Sequence, residues 1–275
     1  MPRIDAHQHF WQVSRGDYGW LTPALTPIYR DFLPPDLAPL LAEAGIDGAV
    51  LVQAAPTDAE TDFMLALAES HEFIRGVVGW VDFEAQEAPE RIGKRAAHPK
   101  LKGLRPMIQD IADPLWILRP DLDGAFAAMI DHDLVFDALV LPKHLQALSV
   151  RLARHPALRT IIDHGAKPAI LAGDFDDWAR DMSHLARSTS ACCKLSGLIT
   201  EAGPDWTIDM LRPYVEHLLN QFGPERLIWG SDWPVCILAG EYERWLEATE
   251  ELLVHLSADE RAAILGGNAA RIYRL

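Results

Sequence analysis

Eight short strand-like segments alternate with amphipathic or Ala/Leu-rich stretches from one end of this chain to the other, and that rhythm constrains its fold more than any other feature. The strand candidates are Arg3–His7, Gly48–Gln53, Ile74–Trp80, Lys100–Arg105, Leu134–Asp137, Arg159–Asp163, Cys192–Ser196 and Leu227–Ser231. Between them lie Pro35–Ala44, Ala59–Ser70, Pro89–Ala97, Leu122–His132, His144–Arg154, Phe175–Ser188 and Ile208–Phe222, and Glu241–Leu275 reads as further helices. Strands separated by helical crossovers pair in parallel. Eight such units close a (β/α)8 TIM barrel, a fold of about 250 residues, and this chain has 275. No Ser/Gly linker or low-complexity run interrupts the rhythm, so residues 1–275 read as a single domain.

Local signals support the helix boundaries. Asp174 precedes Phe175-Asp176-Asp177-Trp178 and is placed to cap that helix, and Ser257-Ala258-Asp259-Glu260 has the form of a capping box. Gly45, Gly223 and Gly266 fall where helices should stop. The Trp-, Tyr- and Pro-containing segment Phe10–Leu33 is a long first loop. In a barrel it lies over the mouth formed by the loops that follow strands.

Composition narrows the partners. With 40 acidic and 25 basic residues the net charge is −15, which repels nucleic acid and anionic membrane surfaces. No apolar run approaches the roughly 20 residues of a membrane span. The start, Met1-Pro2-Arg3-Ile4-Asp5, lacks the basic-then-apolar form of a secretory leader. Cys192, Cys193 and Cys236 form no CxxC spacing and read as buried thiols in a reducing cytoplasm. Composition leaves the substrate and the oligomeric state open.

Chemistry-bearing residues gather at strand ends. Ile4-Asp5-Ala6-His7-Gln8-His9 holds an His-x-His pair, and side chains two apart on a strand point the same way. Gln53 ends the second strand, Trp80 and Asp82 follow the third, and Arg105 ends the fourth. Asp163-His164-Gly165 ends the sixth, Lys194 and Ser196 lie in the seventh, and Ser231-Asp232-Trp233-Pro234 closes the eighth. In a barrel these positions share one mouth. His7, His9, His164 and Asp232 offer nitrogen and oxygen ligands to one divalent metal, zinc in the first place. The same cluster can also work without a tightly held metal, with Asp232 as general base and the imidazoles as hydrogen-bond donors.

Other residues remain open between two roles. Arg105 can aim its guanidinium at a substrate carbonyl or pair with a barrel aspartate. Lys194 is either a substrate contact or a structural salt bridge. Gln53 and Trp80 suit sugar recognition, or packing behind the site. Trp11, Trp20 and Trp233 can wall the pocket. His144 is the one further histidine able to reach the mouth, while His71, His98, His132, His155, His184, His217 and His255 fall in helices or at their ends as surface residues. No G-x-S-x-G elbow, post-strand G-x-G-x-x-G or Walker A motif is present.

Several of these pieces together resemble the amidohydrolase superfamily, within it the branch of sugar-lactone and pyrone-dicarboxylate lactonases. They are Asp5-Ala6-His7-Gln8-His9-Phe10-Trp11, Arg30-Asp31-Phe32-Leu33-Pro34, Val52-Gln53-Ala54, Gly103-Leu104-Arg105, Asp163-His164-Gly165-Ala166-Lys167-Pro168, Lys194-Leu195-Ser196-Gly197 and Trp229-Gly230-Ser231-Asp232-Trp233-Pro234. The resemblance implies a barrel of the metal-dependent hydrolase type and hydrolysis of a lactone, L-fucono-lactone or a similar aldonolactone. It implies that His7, His9 and His164 ligate metal or polarise the carbonyl, that Asp232 is metal ligand and general base, and that Arg105 contacts substrate. Lys194-Leu195-Ser196 stands where binuclear members place a second histidine ligand, and no lysine suggests a carbamylated bridge. A single metal is therefore expected, with its necessity for turnover open. The expected catalytic residues are Asp232, His164 and Arg105, with Trp11, Gln53, Trp80, Arg105 and Lys194 on the substrate. Rival readings are a 2-pyrone-4,6-dicarboxylate-type lactonase, a related metal-dependent decarboxylase, and a catalytically dead barrel that only binds.

Overall fold

The computed structural model describes residues 1–275. All eight expected strands form: β1 Ile4–Gln8, β2 Gly48–Val52, β3 Ile74–Gly79, β4 Leu101–Leu104, β5 Val135–Ala138, β6 Thr160–Ile162, β7 Cys192–Leu195 and β8 Leu227–Trp229. They pair in parallel in the order β1 to β8. The sheet closes just past the strands, where His9 N donates to Trp233 O at 2.7 Å and Asp232 N to His7 O at 2.8 Å. Asp5 reinforces the seam, accepting from Ser231 N at 2.9 Å and from Tyr242 OH at 3.2 Å.

Helices cover the outside: α1 Pro34–Ala44, α2 Asp58–Ser70, α3 Ala88–Ala96, α4 Asp123–Asp131, α5 Leu145–Arg154, α6 Asp176–Ser188, α7 Leu198–Ala202, α8 Ile208–Phe222, α9 Tyr242–Leu252, α10 Ala258–Ala262 and α11 Asn268–Tyr273. The short α7 was not expected from the sequence, because five residues carry no periodicity. Gly45 and Gly223 end α1 and α8, and Ser257 with Glu260 caps α10 reciprocally. Two expectations fail. Asp174 does not cap α6, whose N-cap position is Phe175. Gly266 stops no helix but lies between α10 and α11, where a Cβ would meet Pro2 O at 2.1 Å, so its role is close approach to β1.

The core has two parts. Outward-facing strand residues such as Leu51, Phe136, Ile162, Leu195 and Trp229 pack against the helices in one large buried cluster. Inside the barrel lies a small cluster of Ile4, Ala6, Val50, Val52, Val78, Val135, Ile161, Cys192 and Ile228, sealed below by Ala269 and Tyr273 of α11. Period-two alternation then dictates what lies above it. Two residues on from Val135, Ile161 and Cys192 come Asp137, Asp163 and Lys194, all fully buried. The interior thus changes from apolar to charged within one layer. The register of β1 shifts between Asp5 and Gln8, so Ala6 and His7 both reach the interior. Cys192, Cys193 and Cys236 are buried free thiols, and no helix is long and apolar enough to cross a membrane.

Candidate active site

Asp232 Oδ1 is the point on which the mouth converges. It lies 3.2 Å from His9 Nε2, 3.7 Å from His7 Nε2 and 4.0 Å from His164 Nε2. The carboxylate and all three rings are buried or nearly so. The local backbone is held away from its ordinary minima: His164, Ala166, Lys167 and Asp232 all have φ between 52° and 61°. Left-handed conformations at non-glycine residues are costly and persist where the surroundings enforce them. Gly197 makes room, because a Cβ there would lie 2.6 Å from His164 Nδ1 and 3.2 Å from Asp232 Oδ2.

Neighbouring groups orient each imidazole. His9 Nδ1 donates to the Val52 carbonyl at 2.7 Å. His164 Nδ1 is 2.9 Å from Ser196 Oγ. His7 Nδ1 faces Lys194 Nζ at 3.1 Å and Asp163 Oδ1 at 3.5 Å. On its other side His7 Nε2 is 3.3 Å from Arg105 Nη1, which also reaches Asp163 Oδ2 at 3.4 Å while Nη2 donates to Gln53 O. Burial lowers the His7 pKa, helped by the Lys194 charge, and lowers that of His164 to about 4, so both rings are neutral at neutral pH. Burial alone would raise the Asp232 carboxyl, but His164, which is charged in the acid range where Asp232 titrates, and the hydrogen bond with His9 outweigh it and hold the group well below the usual carboxylate range. Asp232 is therefore an anion.

The residues fit a divalent metal. His9 Nδ1 donates to Val52 O, which leaves Nε2, 3.2 Å from Asp232 Oδ1, as the nitrogen that either carries a second proton or turns a lone pair toward the carboxylate. Two acceptors that close repel unless a proton or a metal ion lies between them. Ligands at about 2.0–2.2 Å around a tetrahedral metal stand roughly 3.4 Å apart, and the 3.2, 3.7 and 4.0 Å separations around Oδ1 bracket that spacing. His7, His9 and Asp232 form one possible ligand set, and His7, Asp163 and His164 another. The Arg105 guanidinium beside His7 weakens the hold on any cation there.

A cavity of about 160 Å³ opens over this centre, lined among others by His9, Arg105, His164, Asp232, Trp20 and Lys167. Of the residues expected on the substrate, only Arg105 lines it. Trp11 is fully buried, its Nε1 donating to Arg30 O at 2.8 Å, and its ring packs on Trp20 and Phe32. Gln53 is buried behind Arg105, donating to its carbonyl at 2.7 Å. Trp80 borders an adjoining cavity instead. Lys194 is sealed beneath the site, 2.5 Å from Asp137 Oδ2 and 3.0 Å from Asp163 Oδ1. Its long side chain points into a closed layer, which makes it the structural ion pair of its two readings. Trp233 packs on Phe10 and Phe32, leaving Trp20 as the wall tryptophan. His144 is buried, with Nδ1 accepting from Leu141 N at 3.0 Å, and does not line the cavity; none of the seven histidines read as surface residues is buried.

The lining residues given no role from sequence are Met107, Gln109, Asp110, Leu139 and Val235, together with Ala54 and Lys167. Met107 and Leu139 lie in loops, Gln109 and Asp110 end a one-turn 3-10 helix and Val235 starts another, and none of these segments is long enough to show periodicity. Lys167 was signalled by its place in the Asp-His-Gly-Ala-Lys-Pro motif. It lines the cavity with Nζ 3.5 Å from Glu201 Oε1.

Comparison with known proteins agrees with this geometry. A family model described as amidohydrolase matches residues 4–275. An L-fucono-1,5-lactonase of Burkholderia ambifaria is 49% identical over 99% of this chain and 96% of its own length. An L-fucono-1,5-lactonase of Burkholderia multivorans is 38% identical, with 99% and 96% covered. A crystal structure of an amidohydrolase from Burkholderia multivorans with zinc bound superposes with a TM-score of 0.93 at 37% identity, covering all of both chains.

Proposed function

Because this chain belongs to the amidohydrolase family, we propose that it is a lactonase that opens a neutral sugar lactone, L-fucono-1,5-lactone in the first place, to the aldonic acid. The observation that carries this reading is the anionic Asp232 ringed by three imidazoles at the base of a small cavity that Arg105 also faces. Asp232 accepts a proton from water as the water oxygen attacks the lactone carbonyl carbon. Negative charge develops on the carbonyl oxygen, where Arg105 and His164 are placed to donate. The bond from that carbon to the ring oxygen then breaks, and the proton held by Asp232 passes to the ring oxygen. The balance is one lactone and one water to one hydroxy acid.

A divalent metal held by His7, His9 and Asp232, zinc in the first place, would polarise the carbonyl and lower the pKa of a bound water to about 7. The relatives support the substrate class, and the acidic Asp110 on the rim suits a neutral ligand. Arg105 and Lys167 together keep a dicarboxylate lactone as the second reading, since two carboxylates need two cations. We place the enzyme in the cytoplasm, on the strength of its unpaired cysteines, and read residues 1–275 as one domain.

A pH-indicator assay on L-fucono-1,5-lactone, other aldonolactones and a pyrone dicarboxylate, with and without chelator, tests substrate and metal together. Asp232→Asn is expected to lower turnover by about 10³-fold or more with the fold intact by circular dichroism. Turnover within severalfold of the parent would remove Asp232 from its role. A metal bound beside Arg105 should be removed by millimolar chelator, and the remaining rate measures what the side chains achieve alone.

A further inference from the structure

Beside the catalytic cavity lies a second one of about 570 Å³, and Trp20, Met107 and Asp110 line both. We propose that this adjoining cavity is a second carbohydrate subsite, which takes a neutral glycosyl substituent carried by the lactone. The proposal rests on the lactonase reading for the reaction but on separate residues for the binding. The catalytic cavity, at about 160 Å³, is smaller than the roughly 300–1,000 Å³ of typical small-molecule sites. Joined to its neighbour, it falls within that range.

The walls have the chemistry that a sugar ring needs. Trp20 and Trp80 are partly exposed, and Trp116 closes the far side. Trp20 Nε1 donates to Ala54 O at 2.7 Å and Trp116 Nε1 to Glu84 Oε1 at 2.8 Å, so these indoles are held as rigid platforms. Indole faces cover the C–H face of a pyranose, and the hydroxyls around its edge need acceptors. Carboxylates of Asp17, Asp82 and Asp110 supply them. Asp17 Oδ2 already accepts from Arg15 and Thr57, but Oδ1 is buried with no partner, which is costly unless a donor arrives. No lysine or arginine lines this cavity, so carboxylated or phosphorylated substituents are repelled. Neutral and cationic ligands remain, and the indole platforms beside a lactone site that takes an uncharged sugar favour a neutral polyhydroxylated ring.

Steady-state assays compare L-fucono-1,5-lactone with its 2-, 3- and 4-O-galactosyl derivatives. At least one derivative is expected to keep kcat/KM within about tenfold of the parent lactone. Ile111→Trp, which fills the second cavity from a residue absent from the first, should lower the substituted-to-unsubstituted ratio by at least about tenfold. Trp80→Ala should lower the same ratio about fivefold or more through lost stacking. The ratio cancels any general loss of folded enzyme. Derivatives all below about 1% of the parent, or a ratio unmoved in both variants, would overturn the subsite. If the parent lactone itself is not turned over, the lactonase reading fails separately, and fluorescence titration with methyl β-D-galactoside then decides the subsite. Saturable quenching lost in Ile111→Trp supports it, and no saturation rejects it.

Discussion

Two clusters of buried charge lie one above the other in this barrel, and they are built differently. In the lower one Lys194 Nζ is 2.5 Å from Asp137 and 3.0 Å from Asp163, and Tyr273 OH donates to Asp137 at 2.6 Å. In the upper one nothing approaches Asp232 Oδ1 closer than 3.2 Å, and its three imidazole neighbours spread out to 4.0 Å. The lower cluster is fully buried, whereas His9, His164 and Asp232 line a cavity. Tight distances make a structural network, in which each buried charged group faces an opposite one even though Asp137 Oδ1 makes no hydrogen bond of its own. Loose distances leave a centre that needs something more, namely water, substrate or a cation. Burial alone would raise Asp163, yet Lys194 and His7 hold it well below the usual carboxylate range. His7 joins the two layers, with Nδ1 on the lower and Nε2 on the upper.

The sharpest way to break this contrast is Lys194→Met, which strands Asp137 in the interior and leaves Asp163 with Arg105 as its one cation. A loss of about 3–5 kcal/mol in denaturant unfolding is expected. A loss below about 1 kcal/mol would show that the lower layer is not a mutually dependent network. Gly197→Ala attacks the upper cluster instead. Its Cβ would meet His164 Nδ1 at 2.6 Å on a backbone with φ of 63°. Stability should fall by about 1–3 kcal/mol, and turnover by roughly 10²-fold through displacement of His164. Unchanged kcat would mean that His164 tolerates movement.

Tyr273→Phe removes one hydroxyl from the lower layer. About 1–2 kcal/mol should be lost, with kcat unaltered, because Tyr273 lies at the barrel floor. A large fall in kcat would join the two clusters functionally. The smallest effect concerns Glu60, a buried carboxylate with only a distant cation, Arg15 at 3.4 Å. Burial raises its pKa from the ordinary 4.5 to about 7. Between those values the native state keeps a proton that the unfolded chain has released. Its contribution is full below pH 4.5 and is lost as pH rises through 7. Glu60→Gln should therefore gain Tm relative to the parent as pH rises across that window, and parallel curves would contradict the burial argument.

Much of the site was legible because it sits at regular positions. His7, His164 and Asp232 lie at or just past strand ends, where a barrel gathers side chains whatever the intervening loops do. Lys194 was left open from sequence because its direction depends on which face of β7 points inward. A strand of four residues does not settle that alone. Gln53 and Trp11 were expected on substrate, yet one is tied to Arg105 and the other to Arg30. Polar or aromatic character near a strand end cannot separate a wall residue from one packed behind it. Asp137 carries no signal in the sequence, since an acid ending a short apolar strand looks like any turn residue until its partner is known.

The order of the eight strands, their parallel pairing and the family were determined by the sequence itself, through hydrophobic alternation and local motifs. These depend on neighbours in the chain, and neighbours in the chain are what a sequence displays. The depth of each polar side chain, the sealing of Lys194, the gap around Asp232 and the second cavity were decided only by the tertiary structure. Each arises from contacts between segments tens to hundreds of residues apart, brought together by barrel closure and the β1 register shift.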